Sequence, residues 1–497
     1  MNKHFINPIY AGQDPFACKG PDGYYYSVAE APDSQSIEVF RSQRLTDRGE
    51  RQVAFRAFDS GICSADLWAP ELWYLRGKWY IYFAGSSAPG MAHWDTHRMY
   101  VLESDAPMGP YCFVGELELG DYMSIDGTVM ELPDGRLIFI YMRKCSDKNC
   151  LFMAPMSSPV KISAEPVMLT TPELPWEEDI TEGPFPIVRK GKVMLMYAAN
   201  AAHLPQYCLA LMHCTDPDRI LDPQVWKKEP QPILVGTEDV IGPGHACIVP
   251  SPDDSEDYLL FHSKFDHDYT LPGGWNRIIN LLRVRWDEEE RPVFDPLPKR
   301  GEPRPLPAGE MPLQTGGRAE IWPGRDGAKL TEYSYYRAKT LYYEADGLLI
   351  RGSACPDYGD KVLIRDRQWQ DFQLLCKMDA HRGDSGILFR VQLPAVGACQ
   401  WRGIGLYFRD QQWRLVCCNG SFLTVLQNGQ YSGGKTDVRI RVRGSRVQAW
   451  VQDDLLLDTI VPDMPTVGRI GFGTQGGDGW LRYLLVEEIF SENSDVF

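Results

Sequence analysis

Three short acidic motifs in the first half of the chain keep one spacing: Gln13-Asp14-Pro15-Phe16, Ser124-Ile125-Asp126-Gly127 and Thr181-Glu182-Gly183-Pro184. Their acids stand 112 and then 56 residues apart (126 − 14 and 182 − 126), two units and then one. Nine residues after each acid comes a glycine that opens an apolar, aromatic run: Gly23, Gly135 and Gly191 (23 − 14, 135 − 126 and 191 − 182). That regularity places three carboxylates at equivalent points of a repeated unit. Repeats set radially about an axis bring equivalent points together. Three carboxyl groups at one pocket suit hydrolysis, most naturally of a glycosidic bond. One acid protonates the leaving oxygen while a second carboxylate works on the opposite face of the sugar. The protonating group must stay neutral near pH 7, so burial or a nearby like charge must raise its pKa, which gives the third carboxylate a use. Glutamate has the longer reach and suits the acid; aspartate on its shorter tether suits a base that holds water.

The elements that must position these acids are strands. The runs read Gly23-Tyr-Tyr-Tyr-Ser-Val, Gly77-Lys-Trp-Tyr-Ile-Tyr-Phe, Gly135-Arg-Leu-Ile-Phe-Ile-Tyr and Gly191-Lys-Val-Met-Leu-Met-Tyr, with a weaker fifth copy at Asp257-Tyr-Leu-Leu-Phe-His. Aromatic and β-branched content between Gly, Asp and Lys marks strands. The starts lie 54, 58, 56 and 66 residues apart by subtraction, room for four short strands each, which is one propeller blade. Before each run, at a similar offset, comes a Pro- or Gly-containing segment: Asp14-Pro15-Phe16, Trp68-Ala69-Pro70-Glu71, Ile125-Asp126-Gly127, Glu182-Gly183-Pro184 and Gly242-Pro243-Gly244-His245. If each is the innermost strand of its blade, all five face a central channel, where crowded backbones favour Gly. The alternative is that they are ordinary turns between strands.

The all-β pattern continues beyond a Pro-rich stretch that includes Pro303, Pro305, Pro307 and Pro312. The expected organisation is a five-bladed β-propeller over 1–300, an extended linker over 301–324 and a β-sandwich over 325–497. The sandwich resembles concanavalin-like or laminin-G-like jelly rolls, modules that bind sugar or buttress a catalytic domain. A formal net charge of −16 argues against nucleic acid or an anionic membrane as partner. Thirteen scattered cysteines without a CxxC pair, and an N-terminus without an apolar run, lead to the expectation of free thiols in a cytoplasmic protein.

As an ordered set, the motifs resemble glycoside hydrolase family 43. The matching pieces are Gln13-Asp14-Pro15, Trp68-Ala69-Pro70-Glu71, Ile125-Asp126-Gly127, Glu182-Gly183-Pro184, Gly242-Pro243-Gly244-His245 and Asn276-Arg277 with Arg283-Val-Arg-Trp286. The resemblance implies an inverting mechanism, with Asp14 as the general base, Glu182 as the general acid and Asp126 tuning and orienting the acid. It implies that Arg277 reaches toward the substrate and the tuning Asp, and that His245 lies near a central cation, often calcium. It implies no organic cofactor. Trp68 and Trp94 are candidates to wall the sugar pocket, or equally core. His93 and His97 have a metal-like spacing but no evident third ligand.

The segment from His97 to Tyr111 resembles arabinofuranosidase branches of the family. The implied activity is an exo-acting α-L-arabinofuranosidase on plant-derived oligosaccharides, the cytoplasmic expectation favouring short substrates. A β-D-xylosidase, or an enzyme with both activities, is the close alternative. A non-catalytic carbohydrate-binding propeller needs no acidic trio. A propeller phosphorylase would need a cationic cluster for phosphate.

Overall fold

The computed structural model describes residues 3–31, 34–60, 63, 65–86, 96–264, 277–334, 341–351, 359–432 and 436–489. The chain forms two compact units. One comprises Gly12–Arg300 with Pro307–Glu310; the other comprises Met1–Ala11, Gly301–Leu306 and Met311–Phe497.

The first unit is a five-bladed β-propeller of antiparallel sheets, and each blade's strands follow chain order outward from the centre. Blade 1 holds Phe16–Lys19, Tyr25–Glu30, Ser36–Ser42 and Glu50–Arg56. Blade 2 holds Ala65–Leu75, Lys78–Ser86, His97–Ser104 and Cys112–Glu116. Blade 3 runs Ser124–Glu131, Leu137–Cys145 and Lys148–Ser158, with two short strands beyond. Blade 4 holds Thr181–Arg189, Lys192–Ala199, Cys208–Cys214 and Trp226–Lys228. Blade 5 holds Ile241–Pro250, Asp257–Lys264, Arg277–Trp286 and Pro292–Phe294.

The aromatic runs are the second strands of the blades. They are buried on both faces, because each blade is covered by its neighbours, so they read as continuous apolar stretches and not as alternation. Phe139, Tyr141, Leu195 and Tyr197 are wholly buried, and the core they join is continuous from blade 2 to blade 4. The glycines that open them make tight hairpins. Arg76-Gly77 and Lys190-Gly191 have φ of 53° and 85°, and 44° and 78°. They lie between the paired residues Leu75 and Lys78, and Arg189 and Lys192. Two left-handed residues in a two-residue loop match the right-handed twist of the flanking strands.

The second unit is a β-sandwich. Two long strands, Phe372–Gln392 and Arg469–Glu488, run side by side and bend where their register breaks between Ala380 and Asp384. Beyond the bend they pair with Gly359–Ile364 and Arg402–Arg409; before it, with Gly347–Ile350, Arg318–Ile321 and Thr436–Arg443. The two faces enclose Trp369, Phe372, Phe389, Ile440 and Phe472. The stretch expected to be an extended linker, 301–324, carries short strands at Pro303–Pro305, Gln314–Thr315 and Arg318–Ile321. Pro303–Pro305 pairs with His4–Ile6, and both belong to this unit. Proline removes a ladder donor, so these strands are confined to short edges.

Candidate active site

In blades 2 to 5 the innermost strand breaks register at the segment singled out from the sequence, whereas in blade 1 that segment precedes an unbroken strand. The ladder skips from Trp68 to Glu71, from Ile125 to Thr128, from Glu182 to Phe185, and on either side of Gly244. Each break holds a left-handed residue: Ala69 (φ 42°), Asp126 (56°), Gly183 (52°), and in blade 5 both Gly242 (54°) and His245 (41°). Asp14, two residues before the paired Phe16, has the same conformation at 44°. Such a bulge frees a side chain from the alternation of its strand and re-aims it, and Asp tolerates the conformation better than most residues. The expectation of three acids at equivalent points needs correction here. Asp14 and Asp126 occupy the left-handed position, whereas Glu182 stands one residue before it, in register with Ile125 and Trp68. The loop between Glu131 and Leu137 is longer than the two-residue loop at Gly191, and this offset made the sequence spacings coincide.

The bulges bring the acids into one network. Gly183 N donates to Asp126 Oδ2 (3.0 Å), tying the acid of blade 3 to the backbone beside Glu182. His245 Nδ1 lies 3.4 Å from Asp14 Oδ1 and 4.0 Å from Asp126 Oδ2. Gly183 is needed at its place, since a Cβ there would meet the His245 ring at 2.9 Å. Arg277 Nη1 donates to Asp14 Oδ1 (3.0 Å). His262, in the second strand of blade 5, accepts from the Asp14 backbone N–H through Nδ1 (3.2 Å). Its ring stacks in parallel on Tyr207 at 5.4 Å, and the Tyr207 hydroxyl donates to Glu182 Oε1 (2.8 Å).

These surroundings push the acids apart. Burial would raise Asp14, but Arg277, then His245, outweigh it and hold the carboxyl well below the ordinary range. Glu182 is pushed up to about 8, first by burial and then by the charge of Asp126; the Tyr207 hydrogen bond works the other way. Asp126 is also raised, mainly by burial, with His245 opposing and Asp14 assisting. His262 is pushed down to about 4, mainly by burial, which keeps its imidazole neutral. A carboxylate and a carboxylic acid thus coexist near pH 7, the division of labour acid–base hydrolysis requires.

Reasoning from sequence missed Tyr207, His262, Glu30 and the role of Glu71. Glu71, in the Trp68-Ala69-Pro70-Glu71 segment, is buried, accepts from Trp73 Nε1 (2.9 Å) and is pushed up to about 8, mainly by burial. His262 ends the fifth aromatic run, and a histidine closing an apolar strand was the available signal. Tyr207 carried no signal beyond its place before a strand. Trp68 stacks on His97 at 3.8 Å, half-buried against the core of blades 2 to 4. That contact pairs His97 with an aromatic ring. Trp94 and His93 lie outside the described residues. Among the described residues no three His, Cys, Asp or Glu side chains converge as metal ligands.

Residues 5–292 match the model of glycosyl hydrolases family 43, and residues 320–487 match a 3-keto-alpha-glucoside-1,2-lyase-like domain. Among curated relatives, an extracellular exo-alpha-(1->5)-L-arabinofuranosidase of Streptomyces chartreusis is 32% identical over 274 residues, covering 52% of this chain and 82% of the relative. An enzyme of the same name from Streptomyces avermitilis is 33% identical over 58% of this chain and 63% of its own. Among solved structures, an alpha-L-arabinofuranosidase from Lactobacillus brevis is 30% identical with a TM-score of 0.55, covering 59% of this chain and 97% of that one. A family 43 protein from Bacillus licheniformis, 15% identical with a TM-score of 0.54, covers 97% of this chain and 99% of that one and shows the shared fold. The expected cytoplasmic location is overturned by the two relatives named extracellular, which point to a secreted protein. The physical reason for the miss is that thiols buried among strands are shielded from oxidation in any compartment. Of the described cysteines, all free, only Cys112 is exposed.

Proposed function

This chain belongs to glycosyl hydrolases family 43 and is a glycosidase, and on that premise we propose that it removes α-L-arabinofuranosyl groups from oligosaccharide ends with inversion. The observation that carries the reading is the opposed titration of Asp14 and Glu182 within one network. Asp14, ionised across the working range, takes a proton from water as it attacks the anomeric carbon. Glu182, protonated below about 8, gives its proton to the leaving oxygen. Asp126 keeps Glu182 protonated by its charge and stays oriented through Gly183 N. Arg277 faces both Asp14 and the bound sugar, and Trp68, in register with Glu182, offers a ring for the sugar wall. The names of the two Streptomyces relatives support the arabinofuranoside and the exo action, which no longer rest on location. This acid–base chemistry needs no organic cofactor.

Calcium beneath the sugar is what the family resemblance implies for His245. His245 presents imidazole nitrogen beside Asp14 and Asp126, a donor a hard cation disfavours. The described residues do not fit a calcium cage.

The test is a leaving-group series of aryl α-L-arabinofuranosides and β-D-xylosides. Arabinofuranosides should turn over far faster. Glu182→Ala should cost little with an acidic phenol as leaving group and orders of magnitude with a poor one. Uniform losses would move the acid elsewhere, and preference for xylosides would replace the sugar.

A further inference from the structure

The hydrogen bonds around Asp14 continue beyond Arg277. The guanidinium forks: Nη1 donates to Asp14 Oδ1 (3.0 Å) and Nη2 to Gln13 Oε1 (2.5 Å). A guanidinium only donates, so the Gln13 atom facing it must be the carbonyl oxygen. That fixes the amide, whose nitrogen then points at Glu30 and donates to its Oε2 (2.5 Å). Glu30 ends the second strand of blade 1, and Ser34 Oγ donates to its other oxygen. Arg277 opens the third strand of blade 5. The relay therefore crosses from the first blade to the last where Asp14 sits between them. Among the described residues Asp14 is the one carboxylate within ion-pair reach of Arg277, so the guanidinium owes its remaining anchorage to Gln13.

We propose that Glu30 is a positioning residue for Asp14: by anchoring Gln13 it holds the Arg277 fork against the Asp14 carboxylate. The inference rests on Asp14 being the base. Without an acceptor at position 30 the Gln13 amide is free to turn, its carbonyl leaves Arg277, and the guanidinium keeps one anchor instead of two. Asp14 then loses part of the field of its cation. Its other charged or titratable neighbours, His245, His262, Asp126, Glu182 and Tyr207, stay in place. Glu30 is itself pushed up to about 7, chiefly by burial and also by Asp14, with Ser34, Arg277 and Gln13 opposing. The relay requires only an acceptor, which the carboxylate, the acid and an amide all supply.

The experiment compares kcat and KM from pH 4 to 9, on an aryl α-L-arabinofuranoside, for wild type, Glu30→Ala, Glu30→Gln, Gln13→Ala, the Glu30→Ala/Gln13→Ala double variant and Asp14→Ala. Wild type should stay flat down its acid limb. Glu30→Ala should lose about tenfold in kcat with KM within about twofold. Its acid limb should rise toward the ordinary aspartate range near about 4. Glu30→Gln should recover most of both, and the double variant should be no worse than the worse single one, because the two residues act in series. An unmoved acid limb in Glu30→Ala, no recovery in Glu30→Gln, or additive losses would each overturn the relay. Should Glu30→Ala fail to fold, Gln13→Ala carries the same limb test. Near-normal turnover by Asp14→Ala would instead remove the base assignment, a result separate from any behaviour of the Glu30 variants.

Discussion

Glu182 and Asp14 are both carboxyl groups buried in one network, yet they end on opposite sides of neutrality. The difference lies in their partners: Asp14 faces a guanidinium, whereas Glu182 faces a carboxylate and a phenol. Activity should therefore fall as pH rises through about 8, where Glu182 loses its proton. Tyr207 sharpens this into a test with a sign. Its hydroxyl donates to Glu182 and favours the ionised form, so Tyr207→Phe should move the alkaline limb to higher pH. A limb that moves down, or stays, would show that Glu182 is not the group being read. At this scale the three acids were legible, because their types, order and spacing repeat. Tyr207 and His262 were not, because their use depends on contacts between strands far apart in sequence. Arg277 is 263 residues from Asp14 (277 − 14); the family resemblance aimed it at the tuning Asp126, and its pairing with Asp14 is a correction that no local signal could have given.

At the level of elements, four of the five inner strands share one device, a register break holding a left-handed residue, and in blade 1 the left-handed Asp14 stands just ahead of an unbroken strand. The sequence shows it as Asp-Pro, Ala-Pro, Asp-Gly, Gly-Pro and Gly-His, residues that punctuate strands. What stayed hidden was the one-residue offset of Glu182, since hairpin length and bulge position trade off in a single spacing. The hairpin glycines admit a cleaner test. Gly191 has φ 78° and nothing within 4 Å of where a Cβ would be, so Gly191→Ala meets no clash, only backbone strain. The expected cost is about 1 kcal/mol in denaturant unfolding, with kcat unchanged. At Gly183, with φ 52° and the His245 ring at 2.9 Å, alanine should cost stability and also turnover, because His245 sits between Asp14 and Asp126. Equal effects at the two positions would mean that the bulge glycine is merely a turn residue.

For the molecule as a whole, the buried acids link pH to stability. Burial pushes Glu182 and Glu71 up to about 8 and Glu30 up to about 7 in the folded chain, all above their ordinary value of 4.5. A raised native pKa means that the folded state keeps a proton the unfolded chain has released. The contribution is full below about 4.5 and is lost as pH rises through 7 to 8. Asp14 has the opposite sign, but its window lies at acid pH; His262, pushed down to about 4 from 6.5, also opposes the fall up to about 6.5, one group against three. The melting temperature should therefore fall between about pH 5 and 8.5, and Glu182→Gln should flatten the slope; a rise across that span would contradict the burial of these groups as acids. Both folds were legible at this scale, because strand periodicity and blade length are written in aromatic runs. The second unit's edges were not, since Pro-rich strands at 303–305 read as linker until their partner at 4–6 is known. The most direct test of the central claim is proton NMR of the first sugar released from an α-L-arabinofuranoside. A base on one face and an acid on the other predict β-L-arabinofuranose first, with the α form appearing only by later mutarotation. The α form appearing first would mean retention, and would contradict the roles given to Asp14 and Glu182.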